Sequence, residues 1–87
     1  MGISSAQLRA ARALLRWSAL DLAKASKVGV ATIRRVEIID GDIPVTVANE
    51  LAIRRALEEA GVEFIDENGG GAGVRLRAPS KSKPGAG

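Results

Sequence analysis

Residues 17–37 read WSALDLAKASKVGVATIRRVE, and the fold turns on how this stretch is parsed. Ser18, followed three residues later by Asp21, makes a capping box, so a helix opens directly after Trp17. It continues through Leu20, Leu22, Ala23 and Ala25. Ser26, Lys27 and Val28 then read as a tight turn, and Gly29 as a tolerated but weak N-cap for the next helix. That helix turns Ile33 and Val36 inward and leaves Thr32, Arg34 and Arg35 outward or sideways. Two short helices joined by a tight turn, the second basic and exposed, are the ingredients of a helix-turn-helix.

The flanking segments extend this unit. Upstream, Ser4 with Gln7 forms another capping box and starts a first helix. Leu8, Ala11 and Leu15 share one face of it, with Ala10, Leu14 and Trp17 beside them, while Arg9, Arg12 and Arg16 form a basic stripe that reads as a solvated face. Downstream, Asp40, Gly41, Asp42 and Pro44 punctuate the chain. A fourth helix is expected from Val45 to Ala60, closing at Gly61. Ala52, Ile53, Ala56, Leu57 and Ala60 line its inner face, whereas Val47 and Leu51 lie nearly opposite, among Glu50, Arg54 and Glu58.

After Gly61 the period changes from helical to alternating. VEFID, ENGGGAG and VRLR read as strand, glycine-rich loop and strand. Val62 and Phe64 alternate with Glu63, and Val74 and Leu76 with Arg75 and Arg77, so opposite charges would attract across a hairpin. The glycine run Gly69 to Gly73 lacks the spacing of a phosphate-binding loop and is read as a hairpin loop. The ending APSKSKPGAG has the composition of a disordered tail.

Composition narrows the function. The 87 residues, 46% hydrophobic, fit one small domain, marginal enough in core size that oligomerisation is expected. Without cysteine or histidine there is no disulfide, no thiolate or imidazole metal ligand and no usual general base. The carboxylates fall in capping, hairpin and helix-surface positions with no paired constellation, so neither an enzyme nor a cofactor or small-molecule site is expected. Trp17 and Phe64 are too few for a base-stacking platform. The sequence has no long apolar run and no leader-like segment, so a soluble, cytoplasmic chain without a membrane partner is expected. Charge is strongly polarised. Up to Val36 seven basic residues face one acid, from Glu37 to Glu67 two face nine, and four more follow unopposed. A basic front half is the footprint of a nucleic-acid surface.

The stretch QLRAARALLRWSALDLAKASKVGVATIRRVE resembles the helix-turn-helix of the lambda repressor/Cro-like regulators, also called the xenobiotic-response-element family. The resemblance spans residues 6 to about 61. It is carried by LRAAR in the first helix, WS before the second, the spacing of Leu22, Ala23, Val28 and Ile33, and the close at Glu37. GVEFIDENGGGAGVRLR is similar to the endings of small bacterial regulators of this type. The expected architecture is therefore mainly α. A four-helix lambda-repressor-like domain would cover residues 4–61, a β-hairpin that serves dimerisation 62–77, and a disordered tail 78–87.

The resemblance implies a small transcriptional regulator that binds double-stranded operator DNA as a homodimer. Its third helix would lie in the major groove, with the start of the second on the phosphate backbone. By position, Val30, Ala31 and Arg34 would read bases with Thr32 and Arg35 beside them, while Ser18, Lys24 and Lys27, with Arg16 at the edge, would meet phosphates. Val47, Leu51, Val62, Phe64, Val74 and Leu76 would form the dimer contact. The sequence departs from the family at Ala19, where glutamine is common, at Lys27, where glycine is usual, and at Gly29, where a hydroxyl or amide cap is usual. After Glu37, Ile38, Ile39, Asp40 and Asp42 replace a basic residue and glycine. These departures motivate an alternative. A degenerate helix-turn-helix would grip another regulator protein in an antiactivator-like role, through Val30, Ala31, Ile38 and Ile39 ringed by Asp40 and Asp42.

Overall fold

The computed structural model describes residues 2–77; the tail expected over 78–87 lies outside them. The described residues form four helices, α1 (Ser5–Leu15), α2 (Ala19–Ser26), α3 (Val30–Glu37) and α4 (Val47–Glu59), followed by strands β1 (Val62–Ile65) and β2 (Gly73–Leu76). Both expected capping boxes are present. The Ser4 hydroxyl accepts from Gln7 N–H while the Gln7 side chain answers Ser4 N–H, and Ser18 and Asp21 do the same at α2. The fourth helix starts two residues later than expected, because Thr46 is its cap and accepts from Asn49 N–H at 3.1 Å.

Helix ends are closed by unusual residues. α1 stops at Arg16 and α2 at Lys27, both in the left-handed region at φ 58° and 65°. Trp17 N–H reaches back to the Arg12 carbonyl at 2.9 Å, and Lys27 N–H to Ala23 at 2.8 Å, so orphan carbonyls are satisfied. Between α2 and α3 the Ser26 hydroxyl donates to the Leu22 carbonyl and accepts from Val28 N–H, which fixes the turn from within. Gly29 supplies no side-chain cap, so α3 begins without one.

One core joins every element. Ile3, Leu8, Ala11, Leu22, Ile33, Val36, Ile53, Leu57 and Val62 are fully excluded from water, each large one contributing about 1.5–3 kcal/mol. α1 packs on α3 and on both strands, α2 on α3 and α4, and α4 on β1. The strands pair antiparallel with Val62 opposite Leu76, Glu63 opposite Arg75, and Phe64 opposite Val74. Val62, Phe64, Val74 and Leu76 all belong to or pack against the core. On the other face Arg75 meets Glu63 at 3.0 Å, the expected cross-strand attraction, and holds that carboxyl below its ordinary range. Gln7 amide donates to the Gly73 carbonyl at 3.1 Å and the Ile65 carbonyl at 3.4 Å, pinning the hairpin to the first turn of α1.

The segment before α1 was not expected to be core, yet Ile3 and Ile43 are buried together with it. Residues 3–5 pair with 41–43 through Ile43 N–H to Ile3 C=O at 3.0 Å and Ser5 N–H to Gly41 C=O at 2.9 Å. Ile3 N–H also donates to the Glu50 carboxylate at 2.7 Å.

The basic stripe on α1 is exposed at Arg9 and Arg16, but Arg12 is half-buried, and Arg9 and Arg12 both bond inward. Arg12 makes a two-point contact with the buried Glu37 carboxylate, Nε to Oε2 and a terminal nitrogen to Oε1, both at 2.6 Å. Its other terminal nitrogen donates to the Trp17 carbonyl at 2.7 Å. The Glu37 hydrogen bonds raise the Arg12 guanidinium above its ordinary pKa, against the opposite effect of burial. Arg9 donates to the Glu37 carbonyl, and the buried Ser5 hydroxyl to the Ile39 carbonyl. Removing one member of a buried pair is costlier when the survivor cannot reach water. Arg12→Ala should therefore destabilise the chain by about 3 kcal/mol, and more than Glu37→Ala, because the Glu37 side chain is 9% exposed and that of Arg12 22%. Urea unfolding of both variants checks the order. Equal or reversed losses would discard this account of the pair.

Candidate nucleic-acid interface

α3 buries one face and presents another. Ile33, Val36 and Glu37 are buried, while Ala31, Arg34 and Arg35 are exposed. Ile38, immediately after the helix, is 83% exposed. At 100° per residue, positions 31, 34, 35 and 38 fall on one stripe directly opposite the buried one. Ile38 is the C-cap of α3, at φ −98° and ψ 5°, and lies exposed at the end of that stripe.

The residues expected on the outward face differ in exposure. Val30 is half-buried and packs against the core, so less of it is free than of Ala31 or Arg34. Its place next to the turn, where α2 packs on α3, explains this. Thr32 is likewise half-buried, at the flank of the exposed stripe. Ile38 joins the stripe instead. The helical spacing from Ala31 through Arg34 and Arg35 already carried that signal.

Arg34 and Arg35 differ from most other arginines. Arg9, Arg12, Arg54, Arg75 and Arg77 are engaged within the chain, on the Glu37 carbonyl and carboxylate, Glu58, Glu63 and the Glu58 carbonyl respectively. Among the described residues neither Arg34 nor Arg35 has an ion-pair partner. Lys24 and Lys27 are exposed on α2 and in the turn. Ser18 is exposed, and its hydroxyl accepts from Asp21 N–H at 3.0 Å. The Asp21 carboxylate receives Ser18 N–H at 2.9 Å, and these contacts hold it below its ordinary pKa. The positive end of α2 is therefore answered by its own acid, which shifts the burden of any phosphate contact toward Lys24, Lys27 and the exposed Arg16.

The residues of the alternative partner patch differ in exposure and in what holds them. Ile38 and Asp40 are exposed, but Ile39 is half-buried with its carbonyl held by Ser5. Asp42 bridges to Ser4 and faces an open hollow of about 610 Å³ shared with Gly2, Gln7, Asp66 and Glu67. Pairing of 3–5 with 41–43 places Asp42 beside Ser4. Among the described residues no group of three or more acids is placed to hold a metal ion.

The dimer set divides as well. Val62 is fully buried, and Phe64, Val74 and Leu76 pack on the chain's own core, with the Arg54 guanidinium 4.8 Å above the Phe64 ring. Alternation correctly placed the four on one face, and α1 and α4 pack against it, leaving Phe64, Val74 and Leu76 half-buried. Val47 and Leu51, one turn apart on the outer side of α4, remain 73% and 51% exposed. No helix among the described residues is long and apolar enough to cross a membrane. In comparison with known proteins, no family model matches the chain, and no curated protein matches it.

Left-handed backbone at a residue with a Cβ costs about 1–2 kcal/mol. Lys27→Gly should accordingly raise stability by about 1 kcal/mol, measured as a shift of the urea midpoint at unchanged slope. A loss of stability would mean that the Lys27 side chain holds the turn in a way its backbone geometry does not reveal.

Proposed function

We propose that the chain is a helix-turn-helix regulator of the lambda repressor/Cro-like type that binds double-stranded DNA with α3 in the major groove. The observation that carries this reading is the pair Arg34 and Arg35. Both are exposed and, among the described residues, without ion pairs, on the face of a short helix whose opposite face is locked into the core. Arginine offers two parallel donors that match guanine O6 and N7, the commonest specific contact in the groove. Lys24, Lys27 and Arg16 supply the phosphate neutralisation on which affinity depends. Of the two acids that argued against DNA from the sequence, Asp42 is drawn toward Ser4 and the 66–72 loop, while Asp40 stays exposed. Glu37, closer to the arginines along the chain, is buried and paired with Arg12. The protein-gripping reading is weakened by the same geometry, since it loses Ile39 and Asp42 from its patch.

Operators of such regulators are two-fold symmetric, so the reading includes a homodimer. With the hairpin side chains committed to the core, the outer side of α4 at Val47 and Leu51 is the apolar surface for it.

Mobility shift with the DNA upstream of the chain's own gene tests the DNA contact. The Arg34→Ala, Arg35→Ala double variant should lose about 10–100-fold or more in specific affinity, with its fold intact by circular dichroism. Lys27→Ala should weaken all sequences alike and reduce the slope of log affinity against log salt by about 0.9. An absence of specific binding, together with capture of a transcription factor in a pull-down, would replace this reading with the antiactivator-like one. For the assembly, Leu51→Asp should convert a dimer to a monomer in sedimentation. A dimer unchanged by that variant moves the contact elsewhere.

A further inference from the structure

Ile38 is the most exposed of the large apolar residues singled out in the fold, at 83%, and it stands within one turn of both Arg34 and Arg35. Scattered exposed apolar side chains are ordinary, but this one is not scattered. It continues the single outward stripe of α3, at the i, i+3, i+4, i+7 spacing by which a helix lying along the groove reads successive bases. The rise from Ala31 to Ile38 is about 10.5 Å, and from Arg34 to Ile38 about 6 Å. With base pairs about 3.4 Å apart, Ile38 falls about two steps beyond the base that Arg34 reaches.

We infer that Ile38 is a specificity-determining residue that packs on the C5-methyl of a thymine, roughly two base pairs from a guanine read by Arg34. The inference rests on the DNA-binding reading above and names the sequence that this face selects. The chemistry favours DNA over a protein as the occupant. Any partner covering Ile38 must also desolvate two guanidinium groups that have no acid of their own among the described residues. A thymine edge next to guanine supplies an apolar methyl and two strong acceptors within one turn of helix, with phosphates on either side for Lys24 and Lys27. Ala31, small and exposed at the other end of the stripe, lets the helix approach the groove floor without a competing polar group.

The test starts from duplexes that the wild-type chain enriches from a random library, which should carry a guanine and a thymine at that separation. In one enriched duplex each thymine is replaced singly by deoxyuridine, which removes only the methyl group. The wild type should lose about fourfold in affinity at one such position per half-site, the value of one buried methyl-sized group. Ile38→Ala should bind the thymine duplex about fourfold or more weakly and show no further loss with deoxyuridine there. Ile38 is at the surface, so the variant's circular dichroism should match the wild type. Specific binding with the same deoxyuridine penalty in both proteins, or enriched sites without that thymine, overturns the role of Ile38 and leaves the DNA reading standing. Failure to enrich any duplex overturns both.

Discussion

The Arg12–Glu37 pair fixes where α3 sits, and the outward face depends on it. An isolated helix of eight residues without a side-chain cap has little stability of its own. Its place comes from outside: Ile33 and Val36 enter the core, and the last turn is held to α1 by Arg12 and Arg9. The pair also settles charge. Glu37 would be the nearest acid to Arg34 and Arg35 along the chain, but its carboxylate is turned inward and met by two nitrogens of one guanidinium. What is left outside is a cationic stripe with an apolar end.

Two corners flanking α2 tell of a different balance. Arg16 and Lys27 occupy left-handed positions for which glycine is the unstrained choice. Both keep a positive charge at a helix C-terminus, where the dipole favours it. The favourable placement of charge at each helix end offsets part of the strain.

The helices were legible because their signals are local. Capping boxes span three residues, and helical periodicity spans a turn or two. The strands were legible for the same reason. What escaped has long sequence separation. Arg12 and Glu37 are 25 residues apart, Ile3 and Glu50 47, and Gln7 and Gly73 66. No pattern within a helix-length window announces those partners. The hairpin shows a subtler limit. Its alternation states that Val62, Phe64, Val74 and Leu76 share a face, but not whether a second chain or the same chain covers it. At the candidate interface, the exposure of Arg34 and Arg35 was legible from type and position, whereas the place of Asp42 beside Ser4 depends on the pairing of 3–5 with 41–43.

Gln7 carries a consequence for the order of assembly. Its one amide joins the opening of α1 to both strands of the hairpin, across most of the described chain. α2, the turn and α3 meet one another at short sequence separation and can collapse early, within the time that short loops close. Val62, however, seals the core only when the hairpin arrives, and the hairpin docks on a helix made from the chain's first residues. Closing so long a span is the slow, entropically unfavourable step. The segment that looks most autonomous is therefore rigid only in the completed molecule, and a fragment ending at Gly61 would keep its helical tendency while losing the fixed surface.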